Sequence, residues 1–176
     1  MVIWIIGLSA AGKSTVAREV VRLLGESHIP SVLLDGDLLR DVWGQSLGYD
    51  LDSRRENADR TCRLGRMLEQ QGICVVTAIL SLFPESRLWN RQNLNRYFEV
   101  YLDVPMEELK RRDPKGLYAK AERGEMDQVV GLDLTWQPPE APDLHLNAPA
   151  VLDTPQALAR QVIDRLPPEW LVAPYP

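Results

Sequence analysis

The sequence predicts an α/β fold built on a mostly parallel five-stranded sheet. Short apolar runs alternate with longer polar stretches of helical period, a pattern typical of parallel strands joined by crossover helices. The chain has 176 residues, of which 45% are hydrophobic and 26% charged, a size and composition suited to one ordinary globular core. We therefore expect a single domain spanning residues 1–176.

Each element is predicted from a local pattern. Apolar runs predict strands at 2–6, 31–34, 73–79, 98–104 and 144–146. The polar stretches between them predict helices near 13–24, 54–71, 85–96 and 105–112. In the second of these helices, Leu64, Met67 and Leu68 have the i, i+3, i+4 spacing expected of a buried stripe.

A last helix is predicted over about 155–166. Thr154 can cap it, and Pro155 suits its first turn. One face of this helix is apolar, with Leu158, Val162 and Leu166 in line.

Charge and cysteine content exclude several classes of function. Twenty Lys and Arg against 25 Asp and Glu give a net charge of −5, so we expect neither nucleic acid nor an anionic membrane as a partner. Cys62 and Cys74 form no C-x-x-C pair and have no histidine nearby, so we expect buried, reduced thiols. The apolar run at the N-terminus lacks a basic region and is too short to span a bilayer, so we expect a cytoplasmic protein.

The loop after the first predicted strand carries a phosphate-binding motif. It fits G-x-x-x-x-G-K-[ST] between a strand and a helix, which is the context this motif requires. In such a loop, backbone N–H groups surround the β-phosphate, Lys13 bridges the β- and γ-phosphates, and Ser14 ligates Mg²⁺. The motif predicts binding of ATP or GTP but leaves kinase, GTPase, motor and sensor open. Its residues are Gly7, Leu8, Ser9, Ala10, Ala11, Gly12, Lys13 and Ser14.

Two carboxylates follow the second predicted strand. Asp35 and Asp37 flank Gly36 at the carboxyl edge of the sheet, where α/β proteins bind ligands. Asp37 could orient or deprotonate an attacking hydroxyl, and Asp35 could hold a Mg²⁺-bound water. The alternative is an Asp-Gly turn in which Asp37 caps a helix.

Basic residues gather in two later segments. Six arginines lie between Arg40 and Arg66; such a run is usually a solvated face, although a phosphate or sulfate on an acceptor would also require some of them. Farther on, cations from Lys110 onward surround Pro114 and Gly116. This second segment predicts a lid over about 113–130 that closes over polyphosphate and excludes water.

Taken together, these segments resemble the adenylylsulfate kinase family, whose members transfer the γ-phosphoryl group of ATP to the ribose 3′-hydroxyl of adenosine 5′-phosphosulfate. The resemblance runs from Val2 to about Leu146. It is carried by residues 5–15, 34–37 with Arg40, 47–49 with Arg54, Glu56 and Asn57, 77–81, 99–103 and 112–118. The resemblance implies a three-layer P-loop kinase fold, ATP and Mg²⁺ as cofactors, a small nucleotide as acceptor, and a homodimer.

The resemblance also implies roles for the matched residues. Thr15 joins the ATP-binding loop, Arg112 stacks on the base of ATP, and Asp37 contacts the acceptor hydroxyl. Ser81 matches a serine that the family is often described as phosphorylating in an intermediate, whereas a direct in-line transfer needs no such species. The acceptor side comprises Arg40, Arg54 and Asn57 at the phosphosulfate, Leu80 and Ser81 along the acceptor, Lys115 at the phosphates, and Tyr49 and Val129 at the acceptor base.

The departures from the family pattern lie on the acceptor side. Val129 stands where the family has an aromatic residue that stacks on the acceptor base, a contact of about 1–3 kcal/mol, and Asp127 replaces a cation. Our first hypothesis is adenylylsulfate kinase activity. The second is 3′-phosphorylation of a different nucleotide, such as cytidine diphosphoramidate, which would tolerate a smaller base clamp. The third is a non-catalytic nucleotide-binding regulator, against which the retained Lys13, Asp37 and lid argue.

Overall fold

A five-stranded parallel sheet forms the centre of the computed structural model, which describes residues 1–44, 47–147 and 154–172. The strand order is β2-β3-β1-β4-β5, and all four pairings between these strands are parallel. The predicted α/β class is confirmed, and each strand lies within one residue of its predicted bounds. The strands are β1 Val2–Ile6, β2 Ser31–Asp35, β3 Cys74–Ile79, β4 Tyr97–Asp103 and β5 Leu144–Asn147.

Helices connect the strands. They are α1 Lys13–Glu26, α2 Gly36–Val42, α3 Leu51–Gln70, α4 Pro84–Asn93, α5 Met106–Arg112, α6 Leu117–Glu122 and α7 Pro155–Arg165, followed by a short 3-10 helix Pro168–Trp170. Two of them, α2 and α6, were not predicted, because segments of seven and six residues are too short to show a helical period. Thr154 caps α7 as predicted, with its Oγ1 accepting the N–H of Ala157 at 3.2 Å. None of the helices in the described residues is long and apolar enough to cross a membrane.

The first strand is buried on both faces, which explains its continuous apolar sequence. Ile3 and Ile5 pack into the core shared with α1 and α7, whereas Val2, Trp4 and Ile6 pack on the opposite side with residues of α3. Successive side chains of a strand point to opposite faces, so one apolar run serves both layers. The sheet therefore separates two helical layers, and it presents its carboxyl edge to the loops that carry the motifs.

Helix α3 bears out two of the three residues predicted for its stripe, because Leu64 and Leu68 pack, partly buried, against the apolar cluster that contains Trp4. The prediction that Met67 belongs to a buried stripe is wrong, because its side chain is 49% exposed. The buried face passes instead through Gly65, where an added Cβ would lie 3.9 Å from the Trp4 ring. It also includes Glu69, whose carboxylate accepts the backbone N–H of Arg96 at 2.9 Å. The burial of this face therefore rests on a glycine and a hydrogen-bonded carboxylate, and hydropathy alone does not show this.

Both cysteines lie in the core, as predicted. Cys62 and Cys74 are each 2% exposed and neither forms a disulfide. Burial raises the pKa of both thiols to about 12.

Candidate functional site

A cavity of about 1000 Å³ brings the sequence motifs together. It is lined by the loop after β1, the beginning of α2, the loop after β3, one face of α3, and the segment that follows α5. Every candidate site residue predicted from the sequence lines it, with the exception of Gly7 and Leu8. The ATP-side and acceptor-side residues thus share one continuous space.

The phosphate loop owes its shape to two glycines. A Cβ on Gly7 would lie 2.7 Å from the backbone oxygen of Leu102, so a side chain has no room there. Gly12 has a φ of +93° and occupies the N-cap of α1, where it offers no side-chain cap. The N–H groups of Thr15 and Val16 already donate to the backbone oxygen of Gly12, both at 3.0 Å. The uncapped start of α1 leaves the N–H groups of Lys13 and Ser14 for a ligand, and the helix dipole favours an anionic one.

Lys13 lies folded into this loop. Its Nζ donates a hydrogen bond to the backbone oxygen of Leu8 at 2.7 Å. Desolvation lowers the pKa of Lys13 to about 8, although the carboxylates of Asp37 and Asp35 oppose this shift; Lys115 adds to it. Phosphate groups of a bound nucleotide would add negative charge and stabilise the ammonium form of Lys13 against this desolvation.

The two carboxylates after β2 occupy different environments. Asp35 is 4% exposed, and its Oδ1 accepts the backbone N–H of Asp37 at 3.0 Å, so Asp35 is the N-cap of α2. The alternative in which Asp37 caps the helix is wrong. Asp37 lies in the first turn, where its exposed carboxylate accepts a hydrogen bond from Lys115 Nζ at 2.5 Å. The lid residue and the candidate catalytic carboxylate therefore meet across the cavity.

The donor set near the phosphate loop fits a nucleotide-bound Mg²⁺. Ser14 and Asp35 supply the hard oxygen atoms that Mg²⁺ prefers, and both line the cavity. Among the described residues, no group of three or more His, Cys, Asp or Glu side chains is arranged to hold a metal ion. The arrangement therefore suits an ion held jointly by phosphates, water and one or two protein oxygens.

Two arginines form the basic end of the cavity. Arg40 donates to the backbone oxygen of Gly48 at 2.7 Å, and its guanidinium lies 4.6 Å from the centre of the Tyr49 ring. Arg54 donates to the backbone oxygen of Tyr49 at 2.5 Å and to that of Gln128 at 3.1 Å. Burial and the neighbouring Arg40 lower the pKa of Arg54. The two guanidinium groups therefore form a positive site, and a bound anion would offset the repulsion between them.

Val129 lies in a tight turn that is held by the carboxylate of Asp133. The carboxylate of Asp133 accepts the backbone N–H groups of Gln128 and Val129, both at 2.5 Å. Gly131 has a φ of +92°, and a Cβ there would lie 2.8 Å from Met106 Cε. Val129 itself is only 2% exposed, so the turn is built into the core rather than left loose. Sequence reasoning gave Asp133 no role.

Ser81 is held at the end of β3 in an unusual conformation. It is 6% exposed and has a φ of +54°, which costs a residue other than glycine roughly 1–2 kcal/mol. Its Oγ accepts the indole N–H of Trp4 at 3.5 Å. Its backbone oxygen accepts a hydrogen bond from buried Arg87 at 2.9 Å, and Arg87 also donates to the backbone oxygen of Gln137 at 3.2 Å. The neighbouring Leu80 lines the cavity as predicted.

The predicted lid is anchored to the phosphate loop. It contains α6, in which Tyr118 is 1% exposed and donates from its hydroxyl to the backbone oxygen of Ser9 at 3.0 Å. Burial raises the pKa of this phenol to about 12. Asp113 accepts the N–H of Leu117 at 2.8 Å and so stabilises the start of the helix. The segment is consequently part of the folded core as well as a boundary of the cavity.

Arg112 is oriented by a carboxylate one helical turn before it. Its Nε donates to Glu108 Oε1 at 2.6 Å, and its Nη1 lies 3.4 Å from the backbone oxygen of Ala11. Arg111 donates to both carboxylate oxygens of Glu108 at 2.7 Å. These charge-assisted bonds lower the pKa of Glu108 to about 2, led by the bond from Arg111. Glu108 is a further residue that sequence reasoning missed.

Other cavity residues were missed for different reasons. Ala58 and Thr61 follow Arg54 and Asn57 by four residues on α3, so helical spacing alone could have found them. Leu158, which sequence reasoning treated only as core, lines the cavity from α7. Nothing local in its sequence indicates a ligand site, because the packing of α7 against α1 brings it there.

Comparison with known proteins gives consistent matches. Residues 1–147 match the family described as adenylylsulphate kinase. The adenylyl-sulfate kinase of Halothermothrix orenii is 38% identical over 164 residues, which are 93% of this chain and 88% of that protein. The adenylyl-sulfate kinase of Erwinia tasmaniensis is 37% identical over 175 residues, covering 98% and 86%. The structure of the Mycobacterium tuberculosis APS kinase in complex with AMPPNP and APS matches with a TM-score of 0.86 and 38% identity, covering 93% of this chain and 95% of that one.

Proposed function

Because the chain belongs to the adenylylsulfate kinase family, we propose that it transfers the γ-phosphoryl group of Mg²⁺-ATP to the ribose 3′-hydroxyl of adenosine 5′-phosphosulfate. The products are ADP and 3′-phosphoadenylylsulfate, an activated form of sulfate. One observation carries the proposal: a single cavity joins a complete phosphate loop, the carboxylate of Asp37 and the paired guanidinium groups of Arg40 and Arg54.

The transfer requires positioning more than covalent chemistry. The 3′-oxygen of the acceptor attacks the γ-phosphorus while the bond from that phosphorus to the oxygen of the β-phosphate breaks, and ADP leaves. Asp37 orients the hydroxyl and accepts its proton as the new O–P bond forms. Lys115 pairs with Asp37, and both side chains are well exposed, so the lysine is free to turn toward the phosphates of a bound nucleotide.

The donor side of the reaction rests on the phosphate loop. The N–H groups at the start of α1 and the ammonium of Lys13 hold the β- and γ-phosphates in place, and the guanidinium of Arg112, oriented by Glu108, stacks on the base of ATP. Ser14, and Asp35 through water, are proposed to hold Mg²⁺, which neutralises charge on the phosphates during transfer. Thr15 completes the loop at the first turn of α1.

The surroundings of Ser81 support direct transfer between the two substrates. Its hydroxyl is nearly buried and is engaged by Trp4, while its backbone is held by Arg87. A phosphoserine would need room and cationic partners for three oxygens. We propose that Ser81 contributes the shape of the acceptor site and is not phosphorylated during turnover.

The other two hypotheses have less support. The matched relatives are named adenylyl-sulfate kinases, and among the described residues that line the cavity no contact favours a cytidine acceptor over an adenine one. A nucleotide sensor without turnover has no need for an acceptor side made of Asp37 and the paired arginines in the same cavity as the phosphate loop.

Two further properties are proposed on narrower grounds. A homodimer is implied by the family resemblance, and static light scattering of the purified protein tests it. A cytoplasmic location is consistent with two buried free thiols, since reducing compartments keep cysteines unpaired. Fractionation of the producing cells tests the second.

An acceptor screen tests the activity itself. Purified protein with Mg²⁺-ATP is given adenosine 5′-phosphosulfate, cytidine diphosphoramidate or simple nucleotides, and ADP release and product mass are followed. We expect turnover with the phosphosulfate far above the others; turnover with the cytidine compound alone would refute the acceptor assignment.

A matched pair of variants tests the mechanism. Asp37→Asn should lower kcat about 100-fold or more, because the amide neither accepts the proton nor orients the hydroxyl as a carboxylate does. Asp41→Asn, an exposed position on the same helix outside the cavity, should leave kcat within about twofold. Equal kcat in the two variants would refute the role of Asp37.

A further inference from the structure

One cavity residue is held by a contact from outside the cavity. Asn57 lines the cavity near its basic end, on the same helix as Arg54. The side-chain oxygen of Asn57, Oδ1, accepts a hydrogen bond from the indole Nε1 of Trp43 at 3.0 Å. Trp43 is the C-cap of α2, so this contact links the helix that carries Asp37 to the helix that carries the acceptor-side residues.

The chemistry of the indole decides which end of the amide faces it. An indole N–H can only donate, whereas an asparagine amide has one accepting oxygen and one donating NH₂ group. The oxygen of Asn57 must therefore face Trp43, irrespective of how an amide might otherwise be rotated. Asn57 lines the cavity and Trp43 does not, so the NH₂ group, with its two donors, is the end of the amide left for a ligand.

The ligand expected at this end of the cavity is an anion. The guanidinium groups of Arg40 and Arg54 form the positive end of the same cavity, and a phosphosulfate offers only accepting oxygens. An amide turned the other way would place its own oxygen against those oxygens and would repel them. The orientation of this one amide thus decides whether Asn57 assists or opposes acceptor binding.

We propose that Trp43 is a positioning residue that fixes Asn57 with its NH₂ group toward the anionic end of the acceptor. This inference rests on the proposed function, because it requires an oxyanion in the cavity. Trp43 is itself held in place: it packs against the apolar cluster around Leu39, and Arg60 lies 5.8 Å from its ring centre. Thr61 donates to the backbone oxygen of Asn57 at 2.7 Å and steadies the turn of α3 beneath the amide.

Trp43→Phe is the direct test, because it keeps an aromatic ring in the cluster and removes only the donor and the second ring. We expect the KM for adenosine 5′-phosphosulfate to rise about 3- to 10-fold, while kcat and the KM for ATP stay within about twofold. Trp89→Phe is the matched control: Trp89 is also half-buried in that cluster under an arginine, but its indole donates no hydrogen bond to a described residue of the cavity. It should change none of the three constants.

A double-mutant cycle separates positioning from a general loss of structure. Asn57→Ala should raise the KM for the acceptor more than Trp43→Phe does, and adding Trp43→Phe to Asn57→Ala should then change it by less than about twofold. Multiplicative effects of the two substitutions would overturn the inference. An unchanged KM in Asn57→Ala, in an enzyme that still phosphorylates the acceptor, would overturn it by removing Asn57 from the site while leaving the proposed function intact.

The parent protein offers a readout that needs no variant to fold. In ¹⁵N NMR spectra, saturation with adenosine 5′-phosphosulfate should slow solvent exchange of the Trp43 indole proton and shift the Asn57 NH₂ signals, because the two hydrogen bonds polarise the same amide. Unchanged indole exchange together with unshifted Asn57 signals would overturn the proposal.

Discussion

The affinity for ATP should fall as the pH rises through about 8, because the lysine of the phosphate loop loses its charge there. Desolvation within the loop lowers the pKa of Lys13 to about 8, well below the ordinary value of 10.5. The β- and γ-phosphates bind the ammonium form and hold it charged. The favourable charge is therefore fully present well below pH 8, half lost at pH 8 and lost above it, and binding above pH 8 must take up a proton.

The size of the effect follows from that pKa. Lys13 is about 90% protonated at pH 7 and about 10% protonated at pH 9. The Kd for ATP should therefore rise roughly tenfold from pH 7 to pH 9, which is a loss of about 1.4 kcal/mol in binding free energy. At pH 8.5, about three-quarters of the binding events should each take up one proton. Cys62 and Cys74 do not contribute, since burial keeps the pKa of both near 12.

Titration calorimetry of Mg²⁺-ATP measures both quantities. The Kd is determined at pH 7, 8 and 9, and at pH 8.5 the experiment is repeated in buffers of different ionisation enthalpy, which reports the protons taken up. Lys13→Met is the control and should bind more weakly with no proton uptake. A parent protein whose Kd is the same at pH 7 and 9, or which takes up no proton at pH 8.5, would refute the reasoning.

Three other predictions concern the acceptor side and the core. Asp133→Asn should raise the KM for the acceptor about 5- to 50-fold with the KM for ATP unchanged, because one of the two oxygens that accept the N–H groups of Gln128 and Val129 becomes a donor; equal changes in both KM values would contradict this. Tyr49→Ala should raise the same KM by about 5- to 50-fold through loss of base stacking, whereas Tyr49→Phe should have little effect, and steady-state kinetics of both variants distinguish a stacking ring from a bystander. Both thiols should react with a disulfide reagent more than about a hundredfold more slowly than free cysteine at pH 8, since their pKa values are near 12, and rapid reaction of the native protein would show that the core opens.

Much of the fold could be predicted because the burial of a strand is visible in its own sequence. A parallel strand covered on both faces reads as an unbroken apolar run, and β1 is such a run. The phosphate loop could be predicted for a related reason. Its chemistry lies within eight consecutive residues, and the requirement for glycine at Gly7 and Gly12 comes from local backbone geometry and one close approach.

The prediction failed where burial depends on the shape of a neighbour. Met67 is apolar and has the correct spacing, yet it is exposed, because α3 approaches the sheet through Gly65 against the ring of Trp4. Helix α6 was missed because its stability comes from contacts outside it. Tyr118 reaches back to the phosphate loop, and no period within six residues indicates that.

By itself, the sequence determined the α/β class, the phosphate loop, the family and many of the residues around the cavity. Only the tertiary structure decided which of those residues bond to one another. Lys115 pairs with Asp37, 78 positions away, Asp133 accepts the backbone N–H of Val129, and Trp43 donates to Asn57. The physical reason is that periodicity and motifs describe neighbours along the chain. The strand order β2-β3-β1-β4-β5 instead brings distant loops to one edge of the sheet, where single hydrogen bonds orient the groups that meet the substrates.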